Sequence, residues 1–211
     1  MVGKSSLPFL VGAVALAAAL AFAAIWLLHR PNAGVAGEGT GLPILFDAPR
    51  FEMTSESGQP VASTALAGKV WVANFVFTHC MGPCPMMTKQ MAAIEQRLKG
   101  DAFRFVTFSV DPQRDTPSVL AEYEKRHAPD NADAPRWFLL TTPGTSYLDV
   151  AEGFRVMAKP ADGSHPILHS EKFFLIDGAG RVRGMYSWNQ PQSVERLIAD
   201  ATELAAGRSG A

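Results

Sequence analysis

Cys80 and Cys84 are the only cysteines among 211 residues, and they stand four apart in Thr78-His79-Cys80-Met81-Gly82-Pro83-Cys84-Pro85. Cysteines at this spacing around one turn can bring their Cα atoms within the roughly 4.4–6.8 Å that a disulfide tolerates. The same geometry can hold one soft metal ion between two sulfurs. A single bridge is far too little for a disulfide scaffold, so the pair serves chemistry rather than stapling. Cys84 is expected in the first turn of a helix, where unpaired N–H groups and the helix dipole favour a thiolate.

The elements that must place this pair follow from apolar patterning. Val70 to Phe77 (VWVANFVF) is a near-continuous apolar run, as expected of a central strand buried on both faces. Pro85 to Leu98 carries Met87, Met91, Ile94 and Leu98 on one helical face. The cysteines therefore lie at the carboxyl edge of an α/β sheet, where ligands and reactive groups collect. Phe103 to Val110 reads as a second strand. Thr116-Pro117 supplies an N-cap and a first-turn proline for a helix reaching about His127. Trp137 to Leu140 is a short strand and Tyr147 to Phe154 a short helix. Lys172–Ile176 and Val182–Tyr186 form a hairpin across Asp177-Gly178-Ala179-Gly180, and Ser193 to Ala206 is a closing amphipathic helix. An earlier hairpin, Phe51 to Val61, turns at Ser57-Gly58. This order predicts a thioredoxin-like α/β sheet flanked by helices, with the early hairpin as an N-terminal extension.

Leu7 to Leu28 runs 22 residues without a charge, enough for a transmembrane helix, which needs about 20. Ala21-Phe22-Ala23 also fits a signal-peptide cleavage pattern. Against cleavage, Ile25 to Leu28 continues the apolar run, and Trp26 suits an interfacial anchor. Both readings export the remainder. The expected division is a cytoplasmic tail at 1–6, a single anchor at 7–28 and a Gly-rich flexible linker at 29–43. A folded domain follows at 44–206, with a short tail at 207–211. Without Lys4 and Arg30 the 19 basic residues fall to 17 against 20 acidic ones, which leaves no basic footprint for nucleic acid.

Three separated motifs resemble the Sco/SenC proteins of cytochrome c oxidase assembly: FVFTHC-x-x-x-CP at 75–85, SVDPQRDTP at 109–117 and HSEKFFLIDGAGRV at 169–182. The resemblance extends over about residues 44–205. It implies a thioredoxin-like fold, an N-terminal membrane anchor and copper, as Cu(I) or Cu(II), bound by two cysteines and one histidine. Carried over by motif, those ligands are Cys80, Cys84 and His169. The resemblance further implies a copper metallochaperone held at the inner membrane with its domain in the periplasm. Its partner is cytochrome c oxidase subunit II, which has a binuclear copper centre, alongside other copper carriers or thiol reductants. One departure is Met81-Gly82-Pro83 between the cysteines, where family members frequently carry bulkier or acidic residues. Gly-Pro before the second cysteine is similar to thioredoxin and leans toward thiol exchange.

Two thiolates and an imidazole suit Cu(I) and accept Cu(II), whereas structural zinc wants a fourth ligand, for which His79 or His165 is available. If Lys172–Ile176 is antiparallel to the earlier strands, it begins at the edge where they end, and His169 approaches the cysteines from the opposite side. His165 in the same loop is the rival ligand. His79 is expected at the surface or in packing, His127 as a charge at a helix end and His29 at the interface. Asp111 ends a neighbouring strand, either orienting a ligand and tuning a thiol or serving an Asp-Pro turn. Arg114 and Asp115 read as an ion pair or as helix-start charges. Met87 and Met91 belong to the core by spacing, and Met81 is the methionine placed to meet a metal. The competing activity is a thiol-disulfide oxidoreductase using Cys80 and Cys84 on the partner's cysteines. A peroxiredoxin-type peroxidase wants a threonine three residues before its cysteine, and Thr78 is two before Cys80.

Overall fold

A computed structural model describes residues 41–128, 136–144, 146–157 and 170–207. Among the described residues eight strands, β1 Phe46–Asp47, β2 Glu52–Ser55, β3 Pro60–Ala62, β4 Val70–Val76, β5 Phe103–Ser109, β6 Trp137–Thr141, β7 Lys172–Ile176 and β8 Arg181–Ser187, form one sheet. Their order is β1-β8-β7-β4-β5-β6-β2-β3. The helices are α1 Pro83–Arg97, α2 Pro117–His127, α3 Ser146–Gly153 and α4 Pro191–Ala206.

The centre is parallel: β4 pairs with β5 from Val70↔Phe103 to Val76↔Ser109, and β5 pairs with β6. β7 runs antiparallel to β4, with Ala73 opposite Phe174, so it begins at the edge where β4 ends. Every residue of β4 is buried, as its unbroken apolar run requires. Trp71, Ala73 and Phe75 face one core, where Phe154, just beyond α3, meets Trp71, Phe75, Phe108 and Phe174. Val70 and Val72 face the other, closed by Met91 and Ile94 of α1, Leu120 and Tyr123 of α2, and Leu197 and Ala201 of α4.

The early hairpin forms as expected, with Met53 opposite Val61 and Gly58 at φ 79°, a left-handed turn conformation that glycine adopts without strain. It extends the sheet beyond β6 through Thr54↔Thr141. α1 and α4 each begin two residues before the patterned starts, because Pro83 and Pro191 take the first helical position, where a missing N–H costs nothing. α2 starts as read, with the Thr116 hydroxyl accepting the Val119 N–H at 3.4 Å. β1, which joins β8 at the opposite edge, was not legible, since two residues carry no periodicity. The anchor expected at 7–28, its tail and nearly all of the linker lie outside the described residues. Among the described residues no helix is long and apolar enough to cross a membrane.

Candidate metal and thiol centre

β4 releases the chain at Val76 and α1 takes it up at Pro83, so Cys80 lies in a six-residue connection and Cys84 is the second residue of the helix. The Cys80 N–H closes a turn on the Phe77 carbonyl at 3.2 Å. Cys80 is half-buried and Cys84 is 0% exposed. No disulfide joins them, and Cys80 lies close enough to raise the ionisation of the Cys84 thiol.

The thiolate expected at Cys84 is not what this arrangement favours. Burial pushes the Cys84 thiol far up, the hydrogen bond and charge of Cys80 push it further, and a hydrogen bond from the Phe77 backbone opposes them only in part. Desolvation outweighs the helix terminus here: the Cys84 and Phe77 backbones both bond the sulfur and pull its ionisation down, yet burial and Cys80 prevail. The reachable sulfur is that of Cys80.

Asp115 departs most from the sequence expectation. It is 0% exposed and does not pair with Arg114. Its carboxylate accepts the Thr78 N–H at 3.2 and 3.3 Å, the Thr78 hydroxyl at 2.5 Å and the Ser109 hydroxyl at 2.6 Å. Burial raises its ionisation above the ordinary carboxylate range, against the pull of those donors, and the charge of Asp111 adds to the rise. Arg114 pairs instead with Asp111 at 3.1 Å. The Asp111 carbonyl accepts the Arg114 and Asp115 N–H groups, which is the turn role, while its charge raises the ionisation of Asp115 and Tyr147. A signal for Asp115 existed in the register: Val76 pairs with Ser109, so Thr78 and Ser109 leave adjacent strand ends with hydroxyls that need an acceptor.

Behind Cys84, the Thr88 hydroxyl donates to the Cys84 carbonyl at 3.0 Å and shares a 2.9 Å hydrogen bond with the Tyr123 hydroxyl. Burial raises the Tyr123 ionisation, and the charges of Cys84, Cys80 and Asp115 raise it further. His127 packs on the Tyr123 ring at 4.6 Å, and burial, Arg126 and Lys89 lower its proton affinity. A favourable helix-end charge is therefore not its setting. His79 is exposed, with Nδ1 3.2 Å from the Thr78 hydroxyl oxygen. His165 and His169 lie outside the described residues. No three potential ligands converge among the described residues.

A family model described as SCO1/SenC matches residues 46–206, the whole span from β1 to the end of α4. The chain belongs to the SCO1/SenC family. Among solved structures, a SCO1/SenC family lipoprotein from Bacillus anthracis str. Ames is 33% identical with a TM-score of 0.67, covering 77% of this chain and 97% of that one. BsSco belongs to the Sco family of cytochrome c oxidase assembly proteins and contains a disulfide switch. It is 27% identical with a TM-score of 0.65, over 78% of this chain and 96% of that one. Arabidopsis thaliana ScoI with copper bound is 26% identical with a TM-score of 0.63, over 75% and 98%. The thioredoxin-like α/β architecture expected from element order is the one this SCO1/SenC chain adopts.

Its methionines divide cleanly. Met87 and Met91 are core residues at 0% exposure, as their spacing implied, while Met81 between the cysteines is 99% exposed and Met86 is also exposed.

Proposed function

We propose that this chain carries copper as cargo between Cys80, Cys84 and His169. It delivers the ion to the binuclear copper centre of cytochrome c oxidase subunit II during assembly. The observation that carries this reading is the neighbouring thiol pair at the β4–α1 connection, Cys84 buried and Cys80 reachable, in a SCO1/SenC chain. The donor set fits the ion: two sulfurs and an imidazole are soft and few, as Cu(I) prefers and Cu(II) accepts. The antiparallel start of β7 at the edge where β4 ends supports a ligand from the segment preceding it. Three donors leave one side open, where a partner's ligands can displace them one at a time. In this reading the helix at 7–28 anchors the chain in the inner membrane, and the linker at 29–43 tethers the 44–206 domain in the periplasm. Copper carriers or thiol reductants load it there.

Anaerobic Cu(I) titration of the full-length chain in detergent tests the site. One tight copper per chain is expected. Cys80→Ala or Cys84→Ala weakens it by more than about a hundredfold, and His169→Ala by about tenfold. Unchanged stoichiometry in all three variants at limiting copper refutes the three-donor site.

One observation favours a second reading, a thiol-disulfide oxidoreductase: the reachable Cys80 thiol adjoins a buried thiol able to resolve a mixed disulfide. In that exchange Cys80 and Cys84 become a disulfide while the partner's disulfide becomes two thiols. His169→Ala then retains exchange, whereas either cysteine substitution abolishes it.

A further inference from the structure

A buried carboxylate held by hydroxyls and an amide, with no cation beside it among the described residues, is an expensive feature to keep. Starting α2 does not require it, because Thr116 already caps that helix through the Val119 N–H. The bonds of Asp115 reach outward, to Ser109 at the end of β5 and to Thr78 two residues before Cys80. We propose that Asp115 is a positioning residue for the cysteine pair: by bolting Thr78 to the end of β5, it fixes where Cys80 stands beside Cys84.

Within the connection from Phe77 to Gly82, the Cys80 N–H bonds the Phe77 carbonyl. That bond shapes a turn but does not attach the turn to the sheet. Phe77 packs against the core, and Thr78 adds a polar attachment, its N–H and hydroxyl both ending on Asp115. Cys84 is held by its place in α1, by the Phe77 backbone and by Thr88, which is braced on Tyr123 of α2. Both sulfurs are thus referenced to α2 and to Asp115, two residues ahead of it. A preorganised pair binds better than one that must be ordered on binding, and the same holds for closing a disulfide. Loosening Thr78 should therefore weaken copper binding and disulfide formation together.

This inference deepens the copper-carrying reading and rests on it only for the metal arm of its test. Asp115→Asn keeps the shape but replaces one acceptor oxygen with a donor. Two readouts on the full-length chain follow. One is Cu(I) affinity by competition with a chromogenic chelator. The other is the equilibrium with glutathione, in which Cys80 and Cys84 pass two electrons and two protons to glutathione disulfide, yielding two glutathione thiols. Asp115→Asn is expected to lower Cu(I) affinity about tenfold and the disulfide-forming equilibrium constant at least threefold. Thr78→Val, which keeps the N–H but loses the hydroxyl, gives about a third of the copper effect, and Thr78→Ser recovers most of both. A lower melting temperature in Asp115→Asn with both readouts unchanged in the folded protein overturns the proposal. If Asp115→Asn does not fold, identical readouts for Thr78→Val and Thr78→Ser overturn it equally. Wild-type protein without tight copper refutes the carrier reading alone, since the glutathione equilibrium still reports on Asp115.

Discussion

Two buried aspartates sit at opposite ends of this sheet, and they are handled in opposite ways. Asp177, in the β7–β8 turn, receives Arg183 Nη1 at 2.8 Å, Arg181 Nε at 2.9 Å and the N–H groups of Ala179 and Arg181 at 3.0 Å. Burial alone would raise its ionisation, but the Arg181 backbone and the Arg183 and Arg181 side chains hold it below the ordinary range. Asp115, at the cysteine end, meets two hydroxyls and one amide, and its ionisation is raised. Cys84 and Tyr123 beside it are raised as well, each chiefly by burial. One end of the sheet is neutralised for stability; the other concentrates desolvated acids, the pattern expected where a site is tuned for chemistry.

The largest effect separating the two ends is expected from Asp177→Ala. Arg183, 7% exposed, would then be buried beside an empty carboxylate site. Removing one partner of a buried pair costs about 3–5 kcal/mol. Urea unfolding should show that loss, while Cu(I) affinity of the folded protein stays within about twofold of wild type. A comparable loss of copper affinity would mean that the two ends are energetically coupled and that the contrast between them is false.

A second prediction sharpens the contrast at the cysteine end. Burial keeps Cys84 protonated through neutral pH, so Cu(I) uptake must release that proton. Apparent Cu(I) affinity is expected to climb about tenfold per pH unit for this proton alone, measured by competition between about pH 6.5 and 8.5. No slope would indicate a thiolate already present, and would mean that the helix terminus wins over burial after all.

The two aspartates should also give opposite linkage. Asp177 has a depressed folded-state pKa, so its stabilisation is complete above the unfolded value near about 3.9 and is lost as pH falls through the folded one. Asp115 has a raised folded-state pKa, so its contribution is complete below about pH 3.9 and is lost as pH rises through the folded value. Relative to wild type, Asp115→Asn should gain stability as pH rises from about 4, and Asp177→Asn should recover stability as pH falls below about 4. Neither slope can exceed about 1.4 kcal/mol per pH unit. Denaturation series at several pH values measure both, and parallel slopes would erase the distinction.

The same contrast separates what the order of residues announces from what only the folded chain decides. Elements marked by composition were legible: the apolar β4, the Thr116-Pro117 start of α2, and the turns at Gly58 and at Asp177 to Gly180. So was the placement of the cysteines between a buried strand and a helix. Asp115 was not, because SVDPQRDTP shows three charges before a helix and nothing in the string says which is buried. That depends on the β4–β5 register, which brings Thr78 and Ser109 to adjacent strand ends. The full burial of Cys84 was hidden for a related reason, since a place in the first helical turn does not say how far packed elements cover the thiol. The assignment of His169 rests on the family resemblance and on where β7 begins, as no local pattern distinguishes it from His165.

The smallest expected effect belongs to Met81. It adjoins Cys80 and its thioether is soft, so it invites assignment as a ligand. Its 99% exposure argues otherwise. No packing restricts its rotamers, and ordering a methionine side chain costs up to about 1.5–2 kcal/mol, which a weak thioether contact largely consumes. Cys80 and Cys84, by contrast, are held by α1, Thr78 and Thr88 before any ion arrives. Met81→Ala is therefore expected to change Cu(I) affinity by less than about twofold, or roughly 0.4 kcal/mol, in the same competition titration. A tenfold loss would make Met81 a donor in its own right, and the open side of the site would then be narrower than a three-donor carrier needs.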